Sequence, residues 1–185
     1  FIDISFKAAA NSYLSYLISG LLRRAVCKIR PYEKVAGETD RVLKRSVDLI
    51  SGAFSGSMRI KDAVDEVITR LKWIETENMG SKPKVAIFGD MYSRDNDVFN
   101  QGLIHFIEKH GGEVITTPYS QYCRMIADTY FKKWFTEGKY LDLLSGKTLL
   151  SVMGRLDRSY FDKFNVIMNE PYEVFDIPAE KILSE

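Results

Sequence analysis

Gly89, Asp90, Tyr92, Arg94, Asn96 and Asn100 crowd into one short polar stretch, GDMYSRDNDVFN, that follows the apolar run Val85-Ala86-Ile87-Phe88. A carboxylate, a phenol, a guanidinium and two amides can hold a ligand with directed polar contacts. Arg94 is the one cation of the stretch, and a helix beginning near Asp97 would aim its free N–H groups at the same spot. An anion such as a phosphate or a carboxylate could meet both. The competing arrangement is internal: Asn96 or Asp95 caps the helix and Asp90 pairs with Arg94. In either case the stretch is expected at the carboxyl edge of a sheet, with Arg94 partly open to solvent.

Other candidates are weaker. Gly146-Lys147-Thr148 resembles the end of a phosphate loop, but Leu141 stands where that loop needs glycine and no strand precedes it. Met91 and Arg94 likewise break a dinucleotide-binding glycine pattern after Gly89. Cys27 and Cys123 lie far apart and outside any Cys-x-x-Cys motif, so the residues point to no zinc or iron–sulfur site. His105 and His110 are five positions apart on one helical pattern and share no face. Arg23, Arg24, Lys28 and Arg30 crowd the end of the first helix. They are expected to complement its dipole on a solvated face or, alternatively, to grip an anion. No catalytic residue and no metal ligand is assigned.

The elements that must position these residues follow from periodicity. Ala8–Ile29 carries a broad apolar face at helical spacing and stops at Pro31. A second helix is expected from Gly37-Glu38-Thr39-Asp40, capped by Thr39 or Asp40, and a third after a Ser57 cap. Residues 75–83 read as a polar linker broken by Gly80 and Pro83. Then come strand Val85–Phe88, a helix from about Asp97 to His110 ended by Gly111-Gly112, and strand Val114–Thr117. The two strands are expected to pair in parallel, because a helix joins them. A helix with an aromatic face follows from Ser120 to about Phe135, and more helix lies between Tyr140 and Met168. A loop and a stub at Ala179–Leu183 close the chain. Two strands alone do not make a free-standing sheet, so further strands are expected within the stretches read as helix, from the rest of the protein or from a second chain.

Composition narrows the function classes. The 185 residues carry 26 Lys and Arg against 25 Asp and Glu, a net charge of +1, which argues against a nucleic-acid binder. The apolar share of 45% is ordinary for a globular chain. No run approaches about 18 uninterrupted apolar residues, so no transmembrane helix is expected. Two isolated cysteines fit a reduced, cytoplasmic chain. The start at Phe1 reads as a piece of a longer protein.

Three segments together resemble one family: Arg30-Pro31-Tyr32-Glu33 with Gly37-Glu38-Thr39-Asp40; Lys82-Pro83-Lys84-Val85 running into Gly89-Asp90-Met91-Tyr92-Ser93-Arg94; and Asn96 to Asn100 followed by Gly112-Glu113-Val114. They are similar to the CoA-substrate-specific enzyme activases, relatives of the 2-hydroxyacyl-CoA dehydratases and their activators. In that family a Pro-Lys-Val strand leads into a Gly-Glu-Ile-Tyr/Phe-Val-Arg turn, then an asparagine and a Phe-x-Asn-like step. Gly89, Tyr92, Arg94, Asn96, Phe99 and Asn100 match; Asp90 replaces Glu, and Asp97 stands where proline is usual. The resemblance spans residues 8–118 well and the rest loosely.

The resemblance implies a Rossmann-like dehydratase-type domain and, in the full-length protein, cysteine-bound iron–sulfur clusters whose ligands have no counterpart in this stretch. It also implies a CoA thioester or an ATP-dependent activator as partner. The expected fold is α/β and helix-rich: a helical subdomain over 1–78, then an incomplete Rossmann-like domain over 83–185 with a partial parallel sheet. The expected function is that of a fragment of such a protein, with the 89–100 turn as its ligand- or partner-facing edge and homo-oligomers in view. The alternative is a scaffold or protein-interaction module without chemistry of its own. Neither nucleic acid, nor a membrane, nor a cofactor held by this stretch itself is expected.

Overall fold

Helix α1, Phe6–Ile29, is the axis on which the other elements are built. The Ser5 hydroxyl accepts from the Ala8 N–H and caps its start. Leu17, Ile18, Leu21, Ala25 and Val26 recur at helical spacing, and all are buried. Pro31 has no N–H to continue the ladder, and the chain tightens there into a 3-10 turn, Arg30–Tyr32. The computed structural model describes residues 5–87, 89–90, 94, 96–116 and 119–172; for residues 6, 119–126 and 128 it describes the backbone alone.

Helix α2, Glu38–Phe54, begins after Gly37, whose φ of 78° suits glycine. The expected caps, Thr39 and Asp40, lie inside the first turn instead. Glu33 does the capping: its carboxylate accepts from the Gly37 N–H at 2.6 Å and the Thr39 N–H at 2.7 Å. An acid from the preceding turn also suits the positive end of the helix dipole. Helix α3, Ile60–Lys72, starts after Arg59 rather than Ser57. Ser57 instead closes the end of α2, its N–H donating to the Gly52 carbonyl.

The stretch expected as a linker is bonded to the first half. Lys34 N–H donates to the Glu75 carbonyl and Glu77 N–H to the Tyr32 carbonyl, each at 2.9 Å, around a bridge between Glu33 and Thr76. Strands β1, Lys84–Ala86, and β2, Glu113–Ile115, then pair in parallel, with Val85 opposite Val114. Ile87 N–H continues the ladder to the Ile115 carbonyl; the expected strand ends at Phe88 and Thr117 lie outside the described residues.

The helix between the strands is shorter than expected. Helix α4 spans Leu103–Lys109, and residues 97–101 are turns. Gln101 and Gly102 both have left-handed backbones, with φ of 57° and 69°, which a continuous helix cannot contain. Gly111, φ 89°, ends α4 as anticipated. Two long helices follow, α5, Tyr119–Thr136, and α6, Tyr140–Met168.

The fold is therefore helix-rich with a small parallel sheet, α/β at a coarse level. Its main core joins α1 and α3 to the last turns of α6, through Phe161, Phe164 and Met168. A smaller core under the sheet holds Cys27, Ile87, Ile104 and Val114. Tyr160, Phe161 and Phe164 pack against the main core or within it, as their spacing suggests.

Candidate functional site

The polar turn after β1 closes on itself. Arg94 N–H donates to the Asp90 carbonyl, and Asn100 Nδ2 donates to the Arg94 carbonyl, both at 3.0 Å. Pinned from both sides, Arg94 is 5% exposed, so the expectation of an arginine open to solvent is corrected. The amides are committed as well. Asn96 Oδ1 accepts from the N–H groups of Val98 and Phe99, and Asn100 Oδ1 from those of Gly102 and Leu103. The donors that would have met an anion are thus taken by asparagine side chains, the internal arrangement for Asn96. Gly89, with φ 135°, and Asp90 remain exposed. Tyr92 lies outside the described residues. Beside the exposed Asn96 and Asp97 the turn also presents two large apolar groups: Val98 is 91% exposed and Phe99 67%.

The four cations at the end of α1 and in the turn after it do not lie on a solvated face. Each meets a carboxylate from a different part of the chain. Arg24 Nη2 lies 2.6 Å from Glu170, which follows α6. Lys28 donates to Glu113 of β2 at 2.8 Å. Arg30 meets Glu108 of α4 at 3.0 Å and Asp40 of α2 at 2.9 Å. Arg23 lies 3.8 Å from Asp97 in the turn. Glu113 is 1% exposed, and its second oxygen accepts from the Tyr32 hydroxyl at 2.7 Å. Such a carboxylate is tolerable only because both oxygens are bonded. Burial raises the Tyr32 pKa, and the bond to Glu113 adds to it. Burial also pushes up the Glu108 carboxyl, against the pull of Arg30.

A cleft of about 300 Å³ opens between α1, α2 and the start of α4. Arg23, Arg30, Asp40, Asp97 and His105 line it beside Leu22 and Val26, and Cys27 forms part of its wall. Its charges are balanced by the pairs just described. Burial, and then Glu108, push the Cys27 thiol up to about 12, so it stays protonated and is no nucleophile. The side chain of Cys123 lies outside the described residues. Among the described residues no group of three or more His, Cys, Asp and Glu could hold a metal. His105 Nδ1 sits 3.7 Å from Glu108, while His110 stacks on Phe106 at 4.3 Å.

Gly146, rejected as part of a phosphate loop, proves to be a helix-crossing residue. A Cβ there would meet Phe131 at 2.7 Å and Trp134 at 2.9 Å, so its hydrogen lets α5 and α6 approach. The carboxylates Glu108 and Glu170 were not singled out by sequence, and Glu113 only as part of the Gly112-Glu113-Val114 segment. One signal pointed at Glu113: an acid leading directly into the apolar pair Val114-Ile115, with a cation-rich helix elsewhere in need of partners.

Compared with protein-family models, with curated proteins and with solved structures, the chain matches none. No helix among the described residues is long and apolar enough to cross a membrane.

Proposed function

We propose that the chain is part of a cytoplasmic protein related to the 2-hydroxyacyl-CoA dehydratases and CoA enzyme activases, and that its 89–100 turn is a protein-facing edge. In this reading residues 83–185 contribute to a Rossmann-like unit whose further strands come from elsewhere. The turn would receive the ATP-dependent activator or another subunit rather than hold a CoA phosphate. One observation carries the choice of partner over small anion: the N–H groups of Val98, Phe99, Gly102 and Leu103 are taken by asparagine side chains, while Val98 and Phe99 face outward. Exposed large apolar groups beside committed polar ones suit a protein contact.

A second reading is favoured by the α1 ion pairs. Because its charged groups are consumed in holding the fold, this region serves as a non-catalytic scaffold of a larger iron–sulfur protein. The CoA and iron–sulfur parts of both readings rest on the sequence resemblance. In both, the cluster is held by cysteines elsewhere in the longer protein, as the resemblance implies.

The test is a double substitution, Val98→Ser with Phe99→Ser, in the full-length protein. Loss of activator binding by at least about tenfold with an unchanged melting curve is expected. Undiminished binding sinks the turn as an edge. If binding is instead lost on adding phosphate or free CoA to the unsubstituted protein, the turn is an anion site after all.

A further inference from the structure

From Thr129 to Leu156 no residue is buried, although these residues form the ends of two long helices. The hairpin of α5 and α6 thus extends beyond the main core as an arm, joined through Gly138 with φ 72°. Its helices close on each other where Gly146 meets Phe131 and Trp134. Beside that contact lies a hollow of about 230 Å³, lined by Phe131, Phe135 and Leu143 with Lys132 and Lys147. The hollow thus offers apolar surface together with positive charge. The arm as a whole is basic: residues 129–156 hold five Lys and Arg against two acids, although the whole chain is nearly balanced at +1.

The end of the described chain leads toward this hollow. Asn169, with φ 50°, stops α6 and turns the chain back. Glu170 N–H donates to Asn165 Oδ1 at 2.9 Å. Two residues later the Tyr172 ring packs edge-on against Phe161 at 5.0 Å, and the Arg158 guanidinium lies 5.1 Å from its centre. Each later residue meets an earlier position of α6, so the chain runs antiparallel along that helix. Asn165, Phe161 and Arg158 follow at steps of four and three, one stripe on the helix. The same steps continue through Gly154, Ser151 and Lys147 to Leu143, and so into the hollow. Gly154 and Ser151 are small and leave the stripe unobstructed between its two ends.

We infer that the occupant of this stripe and hollow is the chain's own segment 173–185, which follows Tyr172 and lies outside the described residues. Its reach suffices. Lys147 lies about 21 Å along α6 from Phe161, and an extended chain carries Ile182 about 33 Å beyond Tyr172. Its charge is the opposite of the arm's: Glu173, Asp176, Glu180 and Glu185 stand against Lys181 alone. Its chemistry matches the lining. The pair Ile182-Leu183 supplies the apolar surface for Phe131, Phe135 and Leu143, and Glu180 and Glu185 on either side of it suit Lys132 and Lys147. Tethering puts the segment at an effective concentration on the order of mM, so a contact of this modest size is enough to hold it.

Disulfide formation in the intact protein tests this, in a Cys123→Ser background. Lys147→Cys with Leu183→Cys should crosslink within one chain, at a rate independent of protein concentration. That rate should exceed by at least about tenfold that of Leu183→Cys paired with Thr69→Cys, an exposed position on α3. Asp176→Lys with Glu180→Lys should slow the first crosslink by about threefold or more, with the circular dichroism unchanged. Equal rates for the two cysteine pairs overturn the inference. So does a Lys147→Cys crosslink that forms only between copies, which would give the hollow to a second molecule. A rate that the charge reversal leaves unchanged overturns it too, since the basic arm would then not be what selects the segment.

Discussion

The base of α1 and the α5–α6 arm treat surface in opposite ways. At the base, charged side chains are drawn inside and matched, so that Glu113 and Arg24 are nearly inaccessible. On the arm, apolar side chains stand outside unmatched. A buried ion pair adds little net stability over a well-packed apolar substitute, but removing one member strands the other. The base is therefore specific and brittle. On the exposed side of the arm a single substitution strands no partner.

The largest expected effect breaks the base. Glu113→Ala leaves the Lys28 ammonium and the Tyr32 hydroxyl without their shared acceptor, at a cost of about 3–5 kcal/mol. Thermal unfolding should fall by roughly 10 °C. A shift of under about 2 °C would show that water replaces the carboxylate and that the base is not brittle. Arg94→Ala comes next, at about 2–4 kcal/mol by denaturant titration, because the side chain is buried rather than displayed. Native-like stability there would return Arg94 to the ligand-facing role first read from sequence.

The smaller effects sharpen the arm's side of the contrast. Gly146→Val forces Phe131 and Trp134 apart and should cost about 1–3 kcal/mol, read best as faster hydrogen exchange confined to α5 and α6. Leu144→Glu should change monomer stability by no more than about 0.5 kcal/mol. Smallest of all, Cys27 should not react with a thiol reagent at pH 8 in the native Cys123→Ser protein, since its pKa is raised to about 12 by burial and Glu108. Rapid native-state labelling would mean that the smaller core opens readily.

What could be read in advance was what repeats locally. The face of α1 declares itself by period, and the parallel pair of β1 and β2 by the strand–helix–strand order around Gly111. Details decided by one or two residues did not declare themselves. The left-handed pair Gln101-Gly102 cuts α4 short, although the apolar spacing from Val98 onward still suits a helix. Glu33 takes over the cap of α2 from a position outside the usual N-cap window. The hardest parts were the partnerships at a distance: nothing within Arg23 to Arg30 tells which carboxylate each cation meets. In the turn, the asparagines looked alike as ligands and as caps, and only the fold shows their amides already spent.

Those distant partnerships set an order of events on the ribosome. Lys28 must wait for Glu113, 85 residues on, and Arg24 for Glu170, 146 residues on. At about 5–20 residues per second, roughly 7–30 s pass between the synthesis of Arg24 and that of its acid. Through that interval Arg24 lacks its partner, and α1, already packed on α3, lacks the last turns of α6 that complete its core. A chain interrupted before residue 161 would lack Phe161, Phe164 and Met168, and would leave that part of the α1 face open to water.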